Sequence, residues 1–131
     1  MQTPNFLDKA NVLAIHEDQI ASFGGTVGIR DEGLLESALA QPQATFGGQF
    51  LHATIHEQAS AYLYHLAMNH PFIDGNKRTA YAVMDTFLRV NGYTLNLTDE
   101  ESYTLVLKVA NGSTNKNDLA SLLQKFVIPI A

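Results

Sequence analysis

The sequence predicts an all-α domain of about six helices, and two observations carry that prediction. Apolar residues recur at helical spacing in successive stretches, most of them bracketed by residues that start or stop helices. Strand-like character is confined to Tyr93–Leu97 and to Gln43–Leu51, an irregular segment with Gly47-Gly48 inside it that reads as a loop or a short flap hairpin.

The first helix runs from about Asp8, its N-cap, to Ser22, with Val12, Leu13, Ile15 and Ile20 as apolar positions and Gly24-Gly25 as its stop. Asp31 caps a short second helix through Leu34, Leu35, Ala38 and Leu39, which Pro42 ends. A long helix follows over 53–69, with Ile55, Ala59, Tyr62, Leu63, Leu66 and Ala67 recurring at helical spacing. After an interruption at His70-Pro71, Asn76 to Val90 forms the next, turning Ala80, Val83, Met84, Phe87 and Leu88 inward and closing at Asn91-Gly92. Thr98 and Glu101 make a capping box for a helix that stops at Asn111-Gly112. The last runs from about Lys116 to Phe126, ahead of Pro129.

The 131 residues suit one domain over 1–131, and 46% hydrophobic with 16% charged residues is a globular balance, not a disordered one. No apolar run is long enough to span a membrane, and Met1-Gln2-Thr3-Pro4 lacks the basic-then-apolar pattern of a secretion signal. With no cysteine there is no disulfide or thiolate zinc site, and a cytoplasmic location is the default. A net charge of −5 argues against direct DNA binding, because nucleic-acid binders neutralise phosphates with a basic face. Lys77 and Arg78 instead place local positive charge on an acidic chain, which suits one small anionic ligand.

That pair belongs to the segment where chemistry is concentrated, His70-Pro71-Phe72-Ile73-Asp74-Gly75-Asn76-Lys77-Arg78. The segment precedes a helix, where unpaired N–H groups and the positive dipole end favour an anion. Gly75 allows close backbone approach, Asn76 adds donors, and Arg78 can grip phosphate oxygens in a bidentate way. Two cations in a first turn oppose the helix dipole unless an anion arrives. Asp74 suits Mg²⁺ shared with phosphates, and it equally suits the N-cap of the helix; the two roles use different oxygens. His70 can take a proton from a hydroxyl. Phe72 reads as a core anchor that turns its polar neighbours outward.

These residues resemble the signature loop of the Fic/Doc family, H-x-F-x-(D/E)-G-N-(G/K)-R, with all seven specified positions met. The resemblance extends through Phe23-Gly24-Gly25, Gly28-Ile29-Arg30-Asp31, Leu34–Ala38 and Phe87–Tyr93, and so covers about residues 6–97. These segments are similar to the death-on-curing (Doc) toxin branch. The resemblance implies a base at His70, catalytic help from Asp74 in orienting the target hydroxyl as well as Mg²⁺ on Asp74, and phosphates of ATP on Asn76, Lys77 and Arg78 with backbone contact from Gly75. Members that transfer AMP typically carry a second glycine and an R-x-x-R run where this chain has Lys77 and Tyr81. Both departures resemble the kinase toxins, in which a lysine would crowd the α-phosphate position and favour transfer of the γ-phosphate. Gly75 points toward AMP transfer, since the founding toxin has alanine there. An inactive helical binding module is the reading outside enzymology. The branch further implies a threonine of elongation factor Tu as target and arrested translation as outcome. The family's inhibitory motif, (S/T)-x-x-x-E-(G/N), is missing: no Ser or Thr stands four residues before a Glu. A separate antitoxin is therefore expected.

Other features read more plainly. His52 and His56 could share a helix face, but no matching carboxylate or cysteine makes them a zinc site. Tyr62, Tyr64 and His65 read as packing or surface. The glycines at 24, 25 and 28 read chiefly as a helix stop, with a hinge or substrate loop as the alternative. Gly47-Gly48 suits a flap that docks a target chain as an extra strand.

Overall fold

Five of the six helices among the described residues begin where a side chain caps them. In the computed structural model, which describes residues 3–130, Asp8 caps α1 (Lys9–Phe23), Asp31 caps α2 (Glu32–Ala40) and Thr54 caps α3 (Ile55–Asn69). Thr98 caps α5 (Asp99–Ala110) and Asn115 caps α6 (Lys116–Phe126). Each accepts a hydrogen bond from a first-turn amide that has no partner inside its helix. The capping box expected at Thr98 and Glu101 is present. The exception is α4 (Asn76–Val90), which follows Gly75 and has no side-chain cap. Met1 and Gln2, which opened the segment read for a secretion signal, lie outside the described residues, as does Ala131.

The fold is all-α, with α3 at its centre. That helix packs against α2, α4, α5 and α6, while α1 lies against α4. Ala59, Ser60, Ala61 and Ala67 are fully buried on α3, and their small side chains let the neighbouring helices come close. Tyr62, Leu63 and Leu66 fill the space between, against Leu35, Val83, Phe87, Leu119 and Leu123. The buried Tyr62 hydroxyl both accepts from the Leu7 amide at 2.9 Å and donates to the Leu7 carbonyl at 3.2 Å, so the packing reading of this tyrosine holds.

Two small antiparallel ribbons decorate the helices. β1 (Thr45–Phe46) and β2 (Gln49–Phe50) make a two-residue-loop hairpin around Gly47 and Gly48, both at positive φ, as the short-hairpin alternative expected. β3 (Tyr93–Leu95) lies in the segment read as strand-like, and it pairs with β4 (Val127–Pro129) in the register Thr94 to Ile128. The sequence reading had no partner for it, because β4 is too short to show a period. Two further expectations need correction. The third helix starts at Ile55, since Thr54 provides the cap, and His52 therefore lies outside it and shares no helix face with His56. No helix among the described residues is long and apolar enough to cross a membrane.

Candidate active site

The 70–78 segment is held from three sides. Its N-terminal end closes α3 with His70 in the left-handed region, at φ 47 and ψ 56. Arg30 clamps that end: its Nε donates to the His70 carbonyl at 2.7 Å and its terminal nitrogen to the Asn69 carbonyl at 2.9 Å. A guanidinium there complements the negative end of the α3 dipole. The chain from Gly28 to Asp31 runs antiparallel to the segment. Arg30 and Asp31 amides donate to the Pro71 carbonyl, the Ile73 amide donates to the Gly28 carbonyl, and Ile29 bridges Phe72. Gly24 caps the C-terminus of α1, as the helix-stop reading expects, and Gly28–Asp31 adds a backing strand for the loop that this reading did not describe.

Two nearby glycines combine a positive φ with side-chain tips close to where a Cβ would lie. A Cβ on Gly28, at φ 144, would lie 2.7 Å from Ile73 Cδ1; one on Gly25, at φ 116, would lie 2.7 Å from Asp74 Oδ2. The third support is internal. Asn76 accepts from the Phe72 amide at 2.9 Å through Oδ1 and donates to the Phe72 carbonyl at 3.0 Å through Nδ2. The carboxamide closes the loop on itself with one Nδ2 hydrogen and keeps the second, while its main-chain amide remains in the uncapped first turn.

Phe72 is 1% exposed, as its reading as a core anchor requires. Beneath it lies His16 of α1, whose ring stacks on Phe72 at 3.9 Å between centroids and 9° between planes. His16 Nδ1 hydrogen-bonds the buried Thr79 hydroxyl of α4 at 3.0 Å, and Nε2 has no partner among the described residues. Burial lowers the pKa of this imidazole, so its neutral form is favoured. Nothing local in the sequence marks His16, which acts across 63 residues, and Arg30, which acts across 39–40, stands out there only within the family-like stretch Gly28–Asp31.

Anchoring Phe72 turns the rest outward. His70, Asp74, Gly75, Asn76, Lys77 and Arg78 all line one cleft of about 750 Å³, whose opposite wall is α5. Asp74 is not the N-cap of α4, the second role the sequence allowed it; Gly75 occupies that position at φ 72. The Asp74 carboxylate accepts from the Gly75 amide at 2.8 Å and from the Thr26 amide at 3.3 Å, which orients it and leaves lone pairs spare. Arg78 donates to the Gly24 carbonyl at 3.0 Å and lies over the Phe23 ring, 5.7 Å from its centroid, while Lys77 is exposed. The uncapped first turn of α4 thus lines the cleft together with two cations, which is an anion-binding arrangement.

No group of three or more metal-ligating side chains occurs among the described residues. A single oriented carboxylate next to an anion site nevertheless fits Mg²⁺, which keeps water and phosphate oxygens in its shell and needs few protein ligands.

Comparison with known proteins gives this geometry a family context. The sequence profile of the Fic/DOC family matches residues 6–88. The chain is 37% identical over 123 residues to a protein of Mycolicibacterium smegmatis called Toxin Doc, covering 92% of both chains. It is 30% identical over 114 residues to a protein of Escherichia phage P1 called Protein kinase doc, covering 87% of this chain and 89% of that one.

Proposed function

The chain belongs to the Fic/DOC family, and from that premise we propose that it is the toxin of a toxin–antitoxin pair, a phosphotransferase moving the γ-phosphate of ATP to a protein hydroxyl. The observation that carries the reading is the meeting, in one cleft, of an exposed imidazole, an oriented carboxylate and an uncapped helix N-terminus flanked by Lys77 and Arg78.

The chemistry asked of these groups is mostly positioning and charge neutralisation. The γ-phosphate rests on the first-turn amides of α4, with Lys77 and Arg78 balancing the charge on its oxygens. His70 accepts the proton of the target hydroxyl as its oxygen forms the new bond to phosphorus. The bond from phosphorus to the bridging oxygen breaks, and that oxygen leaves with ADP. Asp74 would hold Mg²⁺, which supplies further charge neutralisation to the phosphates. Arg30, Asn76 and the Gly28–Asp31 backing strand fix the frame in which these atoms meet.

AMP transfer is the competing reading, and Gly75 is the residue that favours it. The structure supplies a local reason for that glycine: φ is 72, and a Cβ would meet Ile20 at 3.0 Å and Arg78 at 3.3 Å. Gly75 therefore speaks less for AMP transfer than it did in sequence, and Lys77 supports phosphate transfer. A threonine of elongation factor Tu is the proposed target, which places the activity in the cytoplasm and makes translation arrest its outcome. The neutralising partner is an antitoxin in trans, since the chain carries no Ser or Thr four residues before a Glu.

The test is to incubate the protein with ATP, Mg²⁺ and elongation factor Tu, or a cell lysate, and weigh the modified protein. A phosphate adduct is expected with wild type and none with His70→Ala, whose circular dichroism remains native. An AMP adduct overturns the phosphotransferase. Equal toxicity of wild type and His70→Ala in cells would leave only a helical binding module.

A further inference from the structure

The cleft does not end at the signature loop. Lys77, Tyr81 and Asp85 stand four residues apart on α4 and all line it, so one stripe of the helix passes from a cation through a phenol to a carboxylate. Asp85 lies about 13 Å along the helix axis from Asn76. Facing the stripe from α5 are Ser102, Tyr103, Val106 and Leu107. The Tyr81 and Ser102 hydroxyls bond each other at 2.8 Å, fixing the floor between the two helices. Tyr103, 67% exposed, stands on the rim.

This far end is hostile to phosphate. The cations lining the cleft among the described residues, Lys77 and Arg78, belong to the loop end. Arg89, one turn beyond Asp85, is already held by Asp85 Oδ2 at 3.0 Å. What the far end offers is a carboxylate with spare acceptor capacity, a hydroxyl pair, apolar side chains and an exposed aromatic ring. That set matches a nucleoside. An acceptor-only carboxylate takes hydrogen bonds from a vicinal diol, and an exposed tyrosine ring provides a stacking face for a base.

We infer that Tyr81, Asp85, Ser102 and Tyr103 form the nucleoside subsite of the cleft, with Asp85 accepting hydrogen bonds from the ribose hydroxyls of a ribonucleoside triphosphate. The inference rests on the phosphate site proposed above and extends it: with the anion held at the loop and the ribose at Asp85, the terminal phosphate is the one nearest His70. It also assigns Asp85 a role in choosing ribonucleotides over nucleotides that lack the diol.

Calorimetric binding in the presence of Mg²⁺ tests this with ATP, 2′,3′-dideoxy-ATP and inorganic tripolyphosphate. Wild type is expected to bind ATP about tenfold or more tightly than the dideoxy analogue, the size of a charged hydrogen bond. Asp85→Asn brings that ratio to within about twofold and leaves tripolyphosphate binding unchanged. Arg89→Gln removes the ion pair while keeping the carboxylate, and it retains the wild-type ratio. Equal binding of the two nucleotides by wild type overturns the subsite, as does a wild-type ratio in Asp85→Asn. Those results leave the phosphate site standing. If wild type binds neither ATP nor tripolyphosphate, the proposed function fails and the subsite fails with it.

Discussion

The ring of His16 lies flat against Phe72 in the interior, and its Nδ1 ties α1 to α4 through Thr79. Removing it leaves a void under the signature loop and frees the Thr79 hydroxyl in an apolar place. His16→Ala is expected to lose about 2–4 kcal/mol of stability, measured by urea unfolding, as for other large-to-small changes in a core. A loss below about 1 kcal/mol would show that the stack contributes little. Gly28→Ala tests the loop from the other side, since the new methyl meets Ile73 and the backbone is at φ 144. A loss of about 1–3 kcal/mol is expected, with transfer activity falling further than stability because the methyl pushes on the residue next to Asp74.

At the scale of elements, the loop is a product of α3, α4 and the strand that backs it. Arg30 joins the last two carbonyls of α3 to that strand, so Arg30→Met should loosen the α3–α4 junction without emptying the core. Transfer activity is expected to fall at least tenfold while the unfolding midpoint moves by no more than a few degrees; proportionate losses would make Arg30 a stability residue only. Helices were legible in sequence where their signals are local. Asp8, Asp31 and Thr98 stand within a turn of the amides they cap, and Asn76–Val90 has apolar spacing on one face. The third helix begins two residues later than its spacing suggests, because spacing alone does not tell the cap Thr54 from a helical residue. The chemical residues of the loop were legible because they are adjacent in sequence. His16 was not, since its partner lies 63 residues away, and Arg30 and the backing glycine stood out only through their family resemblance, since their contacts lie 39–40 and about 45 residues away.

At the scale of the whole molecule, three buried or half-buried histidines bias stability the same way with pH. Burial lowers the pKa of His16 and of His52, and it lowers His65 to about 4, helped by the neighbouring Lys116 ammonium. Each folded-state value lies below the unfolded one, so the unfolded chain binds more protons as pH falls. Stability is therefore full above about pH 6.5 and is lost progressively toward pH 4, with His65 alone contributing about 2–3 kcal/mol. Urea midpoints that stay constant from pH 7 to 4.5 would contradict this, and His65→Leu should flatten part of the slope. The pairing of Gly28–Asp31 with the signature loop has a further consequence for how the molecule works in time. The Arg30, Asp31, Phe72 and Ile73 amides are all bonded within the protein, so hydrogen exchange there will be slow for a surface loop. A bed that does not open sets no gate on turnover. Product release will then follow the strength of the product's own contacts with the cleft rather than any motion of the loop.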